Sequence, residues 1–387
     1  MIPVKPEARA SNPIVVAGAG AAGLSCALSA ATAGARVVLL EKTTTLGGTV
    51  CQALIHTLGG LFDDQGALLN GGLPAELVDR LGRASPVTHR RRIGKAWVLD
   101  VDPTIYGRVV TEWIKATPTI EVIHRASVTG LSVRNGHIER VDISHDSVFR
   151  TLNPLALVDT TGDADIVRLA NPDCVAEGEA LAGVILRLRG VGANALQFPK
   201  NVALMREIRK AAEDHGLPRE CSTLWLDAGV YPDEAYVKFN VKLDNYDADA
   251  LQATGRKLLI FLQAISDFGE AFIDAHGQLG IRDGGRIRGE HCLTEADIKS
   301  GRHFADAACR ACWPIEHWHP DQGISVEYLP AGHTYDIPLR SLKVAGFTNL
   351  WAAGKCLSAE PRAQSSARVV GTCWAMGAAI GQYLSGN

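Results

Sequence analysis

A short hydrophobic run without a polar position follows the first 13 residues. Residues 14–17, Ile-Val-Val-Ala, therefore predict a buried strand. A glycine-rich run, GAGAAG over 18–23, follows directly, and an alanine-rich stretch that predicts a helix continues to Gly34. A second hydrophobic run over 36–40 predicts another strand and ends on Glu41. Strand, glycine-rich turn, helix, strand and acid within about 30 residues is typical of a dinucleotide-binding βαβ unit.

Each glycine of such a unit has a mechanical role. Gly18 permits the tight turn, Gly20 lets the backbone approach a pyrophosphate, and Gly23 allows the helix to pack closely on the strand. The first N–H groups of the helix and its dipole then receive the phosphate charge. Glu41 is placed to accept hydrogen bonds from ribose hydroxyls, and an acid there disfavours the 2′-phosphate of NADP. The alternative is a glycine-rich turn in an ordinary parallel sheet. We predict nucleotide contacts from Gly18, Gly20, Ala21, Ala22, Gly23, Glu41 and Lys42.

Beyond this unit the pattern predicts an interrupted α/β fold. Further strands are predicted at 120–124, 128–133, 137–143, 155–158 and 349–353, and helices at 103–116 and 367–384. Longer and more polar helices are predicted near 200–215, 247–275 and 294–312, which indicates an inserted region on the substrate side. The basic run at 89–92 has no interleaved aromatic residue and predicts a solvated loop.

The amino-acid composition and net charge exclude several classes of function. The 387 residues are 47% hydrophobic and 21% charged, with a net charge of −3, so the chain can bury a large core and has no basic surface for nucleic acid. No uncharged apolar run is long enough to span a membrane, and the first residues lack the apolar core of a signal peptide. Nine cysteines, an odd number, favour reduced thiols and a cytoplasmic location. The 39 glycines suggest backbone brought close to a ligand at several points.

Five blocks along the chain together resemble the glutathione-reductase-type family of FAD-dependent oxidoreductases. They are GAGAAG with Glu41, LGGT at 46–49, VDTTGDAD at 158–165, IRGEHCLTEAD at 287–297, and NLWAAGKCLSAEPRAQSSARVVGTCWAMGAAIG at 349–381. The resemblance implies a Rossmann-like FAD-binding domain with a parallel sheet, discontinuous over 1–175 and 325–387, and an α+β substrate or cap domain over 176–324. It further implies FAD contacts from Gly48, Thr49, Thr161, Gly162, Asp163, Gly354, Arg368 and Val369.

In that family the final helix directs its N-terminus at the pyrimidine end of the isoalloxazine. A helix dipole and free N–H groups there stabilise the negative charge of reduced flavin. Arg368 either adds positive charge at this point or holds the loop. The chain departs from the family in the loop before this helix, where the usual Ser-Ala-Thr-His-Glu-Ala reads Ser-Ala-Glu-Pro-Arg-Ala over 358–363. The expected histidine and the acid after it are therefore missing, and Glu360 and Arg362 occupy positions in this loop. The chain departs again in the segment 282–286, and both departures concern the substrate rather than FAD.

The second half of the chain contains no further complete GxGxxG in a strand–turn–helix context, so no NAD(P)H domain is predicted. The leading hypothesis is therefore hydride transfer from a small organic metabolite to FAD, with oxygen, a quinone or another protein as electron acceptor. The alternatives are an FAD monooxygenase or halogenase, and an FAD-bearing electron-transfer subunit of a larger reductase. An oligomer is compatible with the sequence.

Four residues are candidates for catalysis. His56 follows the Gly-Gly-Thr turn and is either a base or a histidine bonded within its loop. Cys51 is either a redox contact or a buried thiol. Glu360 and Arg362 either bind substrate or form a local ion pair. The CxxC at 309–312, near His317 and His319, falls at the end of a predicted helix without a second CxxC, so no metal is predicted.

Overall fold

Five parallel strands form the central sheet in the computed structural model, which describes residues 12–179, 181–319 and 322–386. Each strand pairs in parallel with its neighbour. Their order across the sheet is Leu350–Ala352, Ala156–Asp159, Ile14–Ala17, Val37–Glu41 and Ile120–His124. The predicted α/β class with a parallel sheet is thus confirmed. Because the carboxyl ends of parallel strands share one edge, the glycine-rich turn, Glu41 and Asp159 lie along the same edge.

The two faces of this sheet are covered by different elements. Ile14 and Val16 pack into a hydrophobic cluster with the first helix, Ala21–Thr32, and the last helix, Val370–Ser385. Val15 and Ala17 point to the opposite face, as alternation along a strand requires, and pack beneath an antiparallel sheet. Its strands are Ala126–Arg134, His137–His145 and Val148–Leu152.

The first and last helices are in close backbone contact. Ser25 Oγ donates to the carbonyl of Trp374 at 2.6 Å, and Ser29 Oγ donates to the carbonyl of Ala378 at 2.7 Å. A Cβ atom on Gly377 would overlap the carbonyl oxygen of Ala22. The two helices can therefore lie this close only because Gly377 has no side chain.

Smaller elements surround the central sheet. Asp102 caps a helix that begins with Pro103, as predicted, and its side chain accepts from the N–H of Thr104. The helices of this part are Thr49–Gln52, Leu73–Ala84, Pro103–Lys115, Asp165–Ala170, Glu295–Ser300 and Pro361–Ala367. The strands are Thr57–Gly59 with His89–Ile93 and Ala96–Asp100, Val175–Ala176 with Arg286–Ile287, Ala307–Ala311 with Tyr335–Pro338, and the hairpin Ile315–His319 with Gly323–Glu327.

The inserted region has its own hydrophobic core. It is built from a mainly antiparallel sheet and two helices, Lys200–Glu213 and Ala248–Gln263. The strands are Trp225–Ala228, Ala235–Lys242, Leu181–Arg189, Phe272–His276 and Gly280–Ile281. The domain boundaries at 175/176 and 324/325 remain a prediction. Short 3₁₀ turns occur at Pro172–Cys174, Arg219–Thr223, Leu243–Asn245, Ser266–Phe268 and Leu339–Ser341.

Three predicted elements were wrong. The helix at 294–312 ends at Ser300, because Gly301 adopts a left-handed conformation (φ 64°) that closes it, and Ala307–Ala311 is a strand. The helix at 247–275 ends at Gln263, and Phe272–His276 pairs as a strand with the sheet of the inserted region. The helical pattern was mistaken in both places because short hydrophobic runs fit either structure.

The third error concerns the basic run at 89–92. It forms the edge strand His89–Ile93 rather than a solvated loop. Arg91 on this strand is three-quarters buried and pairs with two carboxylates, so its charge has a structural partner. Among the described residues, no helix is both long enough and apolar enough to cross a membrane.

Candidate active site

The glycine-rich turn is fixed by two glycines and left open by the third. Gly18 has φ 108°, and a Cβ atom on it would overlap the carbonyl of Thr160. A Cβ atom on Gly23 would overlap the carbonyl oxygen of Gly18, so the helix and the strand are in direct contact. A Cβ atom on Gly20 would find only the Cα of Gly48, at 3.9 Å. Gly20 therefore faces open space.

That space is a cavity of about 440 Å³ at the carboxyl edge of the parallel sheet. The first helix begins at this cavity, and its N-cap, Gly20, offers no side chain to its free N–H groups. The first turn carries no acidic residue either. Of the predicted cofactor contacts, Gly23 lies beneath the turn and Val369 lines a neighbouring cavity, while the others line this one: Gly18, Gly20, Ala21, Ala22, Glu41, Lys42, Gly48, Thr49, Thr161, Gly162, Asp163, Gly354 and Arg368.

Glu41 also holds the turn in place. Its Oε2 accepts from the N–H of Ala19 at 3.0 Å, and its Oε1 accepts from both the N–H and the hydroxyl of Thr43. The side chain is buried and lines the cavity. Since Oε2 accepts a single hydrogen bond and keeps a second lone pair, Glu41 can still accept from a ribose hydroxyl there.

The second predicted turn is organised by a buried carboxylate. Asp159 Oδ1 accepts from the N–H and hydroxyl of Thr161, and its Oδ2 accepts from the N–H groups of Ile166 and Val167. Burial nevertheless raises the pKa of Asp159. This arrangement fixes the turn so that Thr161 and its neighbours face the cavity.

Lys355 was not predicted, although it lies in one of the resembling blocks. Its ammonium pairs with Asp163, and its stem lies against Gly162. It lines both the first cavity and a second one, of about 640 Å³. The two cavities also share Thr49, Gly280, Ile281 and Arg368, so they are adjoining parts of one site.

The model of the family described as FAD dependent oxidoreductase matches residues 13–384. The chain belongs to the FAD-dependent oxidoreductase family. No curated protein matches the sequence.

Several solved structures are similar to this FAD-dependent oxidoreductase. A geranylgeranyl bacteriochlorophyll reductase-like protein from Thermoplasma acidophilum is 11% identical with a TM-score of 0.48, covering 97% of this chain and 77% of that one. A triple mutant of a flavin-dependent brominase is 14% identical with a TM-score of 0.49, covering 97% and 81%. The p-nitrophenol 4-monooxygenase of Pseudomonas putida DLL-E4 is 12% identical with a TM-score of 0.44, covering 72% and 70%.

The residues of the first cavity fit FAD. Unpartnered N–H groups at a helix start, an open face at Gly20 and a carboxylate at the end of the second strand suit a pyrophosphate and an adenosine ribose. The last helix begins at Val370, two residues after Arg368, so its N-terminus is directed at the junction of the cavities. When bound, FAD supplies the enzyme with an acceptor for one hydride, which carries two electrons. We refer to the first cavity as the FAD cavity and to the second as the substrate cavity.

The wall of the substrate cavity includes a buried charge cluster that sequence analysis missed. Asp227 accepts from Arg91 at 2.9 Å and from Lys238 at 3.4 Å. Burial alone would raise the pKa of Asp227, but Lys238, His56 and Arg91 lower it below its usual range. Arg91 also pairs with Asp100, whose pKa burial raises to about 6. Asp227 is therefore a structural anion rather than a proton acceptor.

His56 lies behind this cluster, fully buried, and lines neither cavity. Its ring stacks on Tyr236 with 3.7 Å between centroids, and its Nε2 lies 3.4 Å from Asp227 Oδ2. Burial, followed by the charge of Lys238, lowers the pKa of His56 to about 4. At neutral pH the imidazole is uncharged. A catalytic role for His56 remains a prediction.

This burial makes stability depend on pH. As pH falls below about 6.5, the unfolded chain protonates at His56 while the folded chain resists until about pH 4. The folded state therefore loses stability as the pH falls from about 6.5 to about 4. This loss is expected to disappear in the His56→Phe variant, which keeps the stack on Tyr236. Urea unfolding at about pH 7 and about pH 5 should show the wild type losing roughly 2 kcal/mol more than the variant. Asp100, whose pKa burial raises, changes the free energy of unfolding in the opposite direction as the pH falls. Because both proteins contain Asp100, its effect cancels in the comparison. Equal losses of stability in the wild type and the variant would contradict the lowered pKa of His56.

The other three candidates for catalysis line neither cavity. Cys51 is partly buried, its Sγ lies 3.6 Å from the carbonyl oxygen of Pro103, and burial raises the pKa of its thiol to about 12. Arg362 pairs with Glu295 at 2.9 Å and with Glu327 at 2.7 Å, and the carboxylate of Glu360 accepts from the N–H of Glu295. Arg362 therefore forms local ion pairs, but its partners are Glu295 and Glu327 rather than Glu360. Catalytic roles for these three residues remain predictions.

The CxxC cysteines lie on a strand and just beyond it rather than at a helix end. Cys309 is buried, and burial raises the pKa of its thiol. Burial also raises the pKa of Cys312 to about 12, and its Sγ contacts the carbonyl of Phe62. Among the residues that the structure describes, no group of three or more histidine, cysteine or acidic side chains is arranged to hold a metal.

Proposed function

We propose that the enzyme oxidises a small organic metabolite bound in the substrate cavity, with hydride transfer to FAD. The observation that carries this proposal is the junction of the two cavities at Thr49, Gly280, Ile281, Lys355 and Arg368. A molecule in the substrate cavity would thus lie beside the segment that begins the last helix. Apolar walls from Ile55, Ile185 and Ile324 would exclude water from it.

Removal of a hydride from an alcohol or amine carbon also releases a proton. The cavity wall carries two carboxylates, Asp227 and Glu316. Asp227 is engaged by two cations. Glu316 accepts instead from two neutral donors, Trp313 Nε1 at 3.1 Å and Trp318 Nε1. We therefore propose Glu316, through Oε2, as the group that accepts the substrate proton.

The proposal is tested by anaerobic reduction of the FAD-loaded enzyme. Small alcohols, amines and hydroxy acids are added singly while the visible absorbance of the flavin is followed. We expect at least one to bleach the flavin without NADH or NADPH. Reduction by NADH or NADPH alone would contradict the proposal and favour the monooxygenase or halogenase alternative. Reduction solely by an iron–sulfur protein would favour the electron-transfer subunit.

A pair of variants on one hairpin strand localises the reaction. Ile324 lines the substrate cavity, whereas its neighbour Ser325 is exposed and lines neither cavity. Ile324→Trp should fill the cavity and abolish substrate-driven bleaching, while Ser325→Trp should leave it intact. Both should retain FAD, because neither residue lines the FAD cavity. Equal activity of the two variants would place the substrate elsewhere.

A further inference from the structure

Two partly buried arginines line the substrate cavity. Arg282 and Arg368 both line it and are only partly accessible to solvent. Burial lowers the pKa of both, and the charge of Arg368 adds to the lowering at Arg282, to about 9. The two guanidiniums are therefore near enough to repel each other.

Little negative charge compensates this pair. Arg282 donates to the carbonyl of Ala182 and lies 4.6 Å from the ring centroid of Trp318. Within the described ranges, the guanidinium of Arg368 has no ion pair or hydrogen bond, and Arg282 has no ion pair. Glu316 attracts both guanidiniums, while Asp283 and Glu179 attract Arg368 more weakly, and none of these carboxylates forms an ion pair with Arg282. A buried, uncompensated positive charge is costly unless an anion joins it.

The two arginines differ in position. Arg368 lines both cavities and lies two residues before the last helix, so it suits the negative charge of reduced flavin. Arg282 lines the substrate cavity without reaching the FAD cavity. The anion that Arg282 would bind is therefore not the cofactor.

The surroundings of Arg282 are flat and apolar. Trp313 and Trp318 line the same cavity, as do Ile281 and Ile324. An arginine beside aromatic planes is suited to a carboxylate joined to a planar body, because the guanidinium binds the carboxylate in two parallel hydrogen bonds. On the basis of the function proposed above, we infer that the substrate is an aromatic carboxylate, with its carboxylate bound by Arg282 and its ring against the tryptophans.

Calorimetric titration of the FAD-loaded enzyme with benzoate and with benzamide tests this inference. The two probes share a ring and differ in charge. Benzoate should bind at least about tenfold more tightly than benzamide, and Arg282→Gln should weaken benzoate about 30-fold or more while leaving benzamide little changed. Arg282→Lys should lose less, since it keeps the charge.

The matched control is Arg80→Gln. Arg80 likewise lies over a tryptophan, 4.2 Å from the ring centroid of Trp113, but outside both cavities. It should leave benzoate affinity unchanged. Equal binding of benzoate and benzamide, or equal effects of Arg282→Gln and Arg80→Gln, would overturn the inference. If both Arg282 variants fail to fold, the comparison of the two probes on the wild type decides.

The flavin midpoint potential separates the two arginines. Arg368→Gln should make it more negative, because a cation near reduced flavin is removed, whereas Arg282→Gln should leave it unchanged. A potential shifted by Arg282→Gln with unchanged benzoate affinity would assign both arginines to the flavin and overturn the inference. Binding of benzoate without any substrate that bleaches the flavin would instead contradict the proposed oxidation and leave the carboxylate site standing.

Discussion

Gly20→Val is expected to abolish FAD retention in a protein that still folds. The backbone at Gly20 (φ −78°, ψ −172°) is extended and accessible to any residue. A Cβ atom there meets nothing nearer than 3.9 Å, so the apoprotein tolerates the side chain. The isopropyl group would, however, occupy the space where the helix N–H groups face the FAD cavity. We expect FAD affinity to fall at least about 100-fold, equivalent to about 2.7 kcal/mol.

The measurement is the flavin content after purification, together with thermal unfolding of the apoprotein. Gly71→Val is the matched control, since a Cβ atom on Gly71 also meets nothing within 4 Å and Gly71 lies outside both cavities. It should retain flavin. A Gly20→Val protein that keeps stoichiometric FAD would show that the pyrophosphate does not approach this turn.

The residues of the FAD cavity could be predicted from the sequence because many of them lie within one short segment. The turn over 18–23, its strand and Glu41 lie within one continuous segment, and each glycine's requirement follows from backbone geometry alone. The second turn at 161–163 and the loop after Gly354 were found by resemblance, and both line the same cavity. Parallel pairing then brings these segments to one edge of the sheet.

The residues of the substrate cavity could not be predicted in the same way. Arg282, Glu316 and Arg368 come from three separate segments and line the same cavity, and no spacing in the sequence signals this arrangement. Asp227 and Arg91 are 136 residues apart and come from different sheets. The sequence signal that existed was the density of aromatic and charged residues over 313–318, a stretch considered above only in connection with a metal site.

Family positions did not predict where the side chains of the loop before the last helix would point. Glu360 and Arg362 stand where the family has other residues, which suggested substrate contacts. The helix Pro361–Ala367 instead directs Arg362 towards Glu295 and Glu327, outside both cavities. A position in an alignment fixes the backbone, whereas the direction of a side chain depends on which partners lie near it.

Gly377→Ala is expected to destabilise the enzyme although alanine favours helices. In an unconstrained helix this change would add up to about 1 kcal/mol of stability. Here the new methyl group would overlap the carbonyl oxygen of Ala22 and lie 2.8 Å from its carbonyl carbon. The last helix must then move away from the first, weakening the hydrogen bond from Ser25 to Trp374. We expect the free energy of unfolding to fall by about 3 kcal/mol.

The control for this prediction is Gly82→Ala. Gly82 lies in the helix Leu73–Ala84, is exposed, and would place its Cβ atom in open space. There the helix propensity acts alone, so urea unfolding should show a gain of about 0.5–1 kcal/mol, opposite in sign to Gly377→Ala.

The first helix begins at the FAD cavity and the last helix at its junction with the substrate cavity. Separation of the two helices should therefore also weaken FAD binding in Gly377→Ala, and a stabilised, fully flavinated variant would show that their contact is not tight.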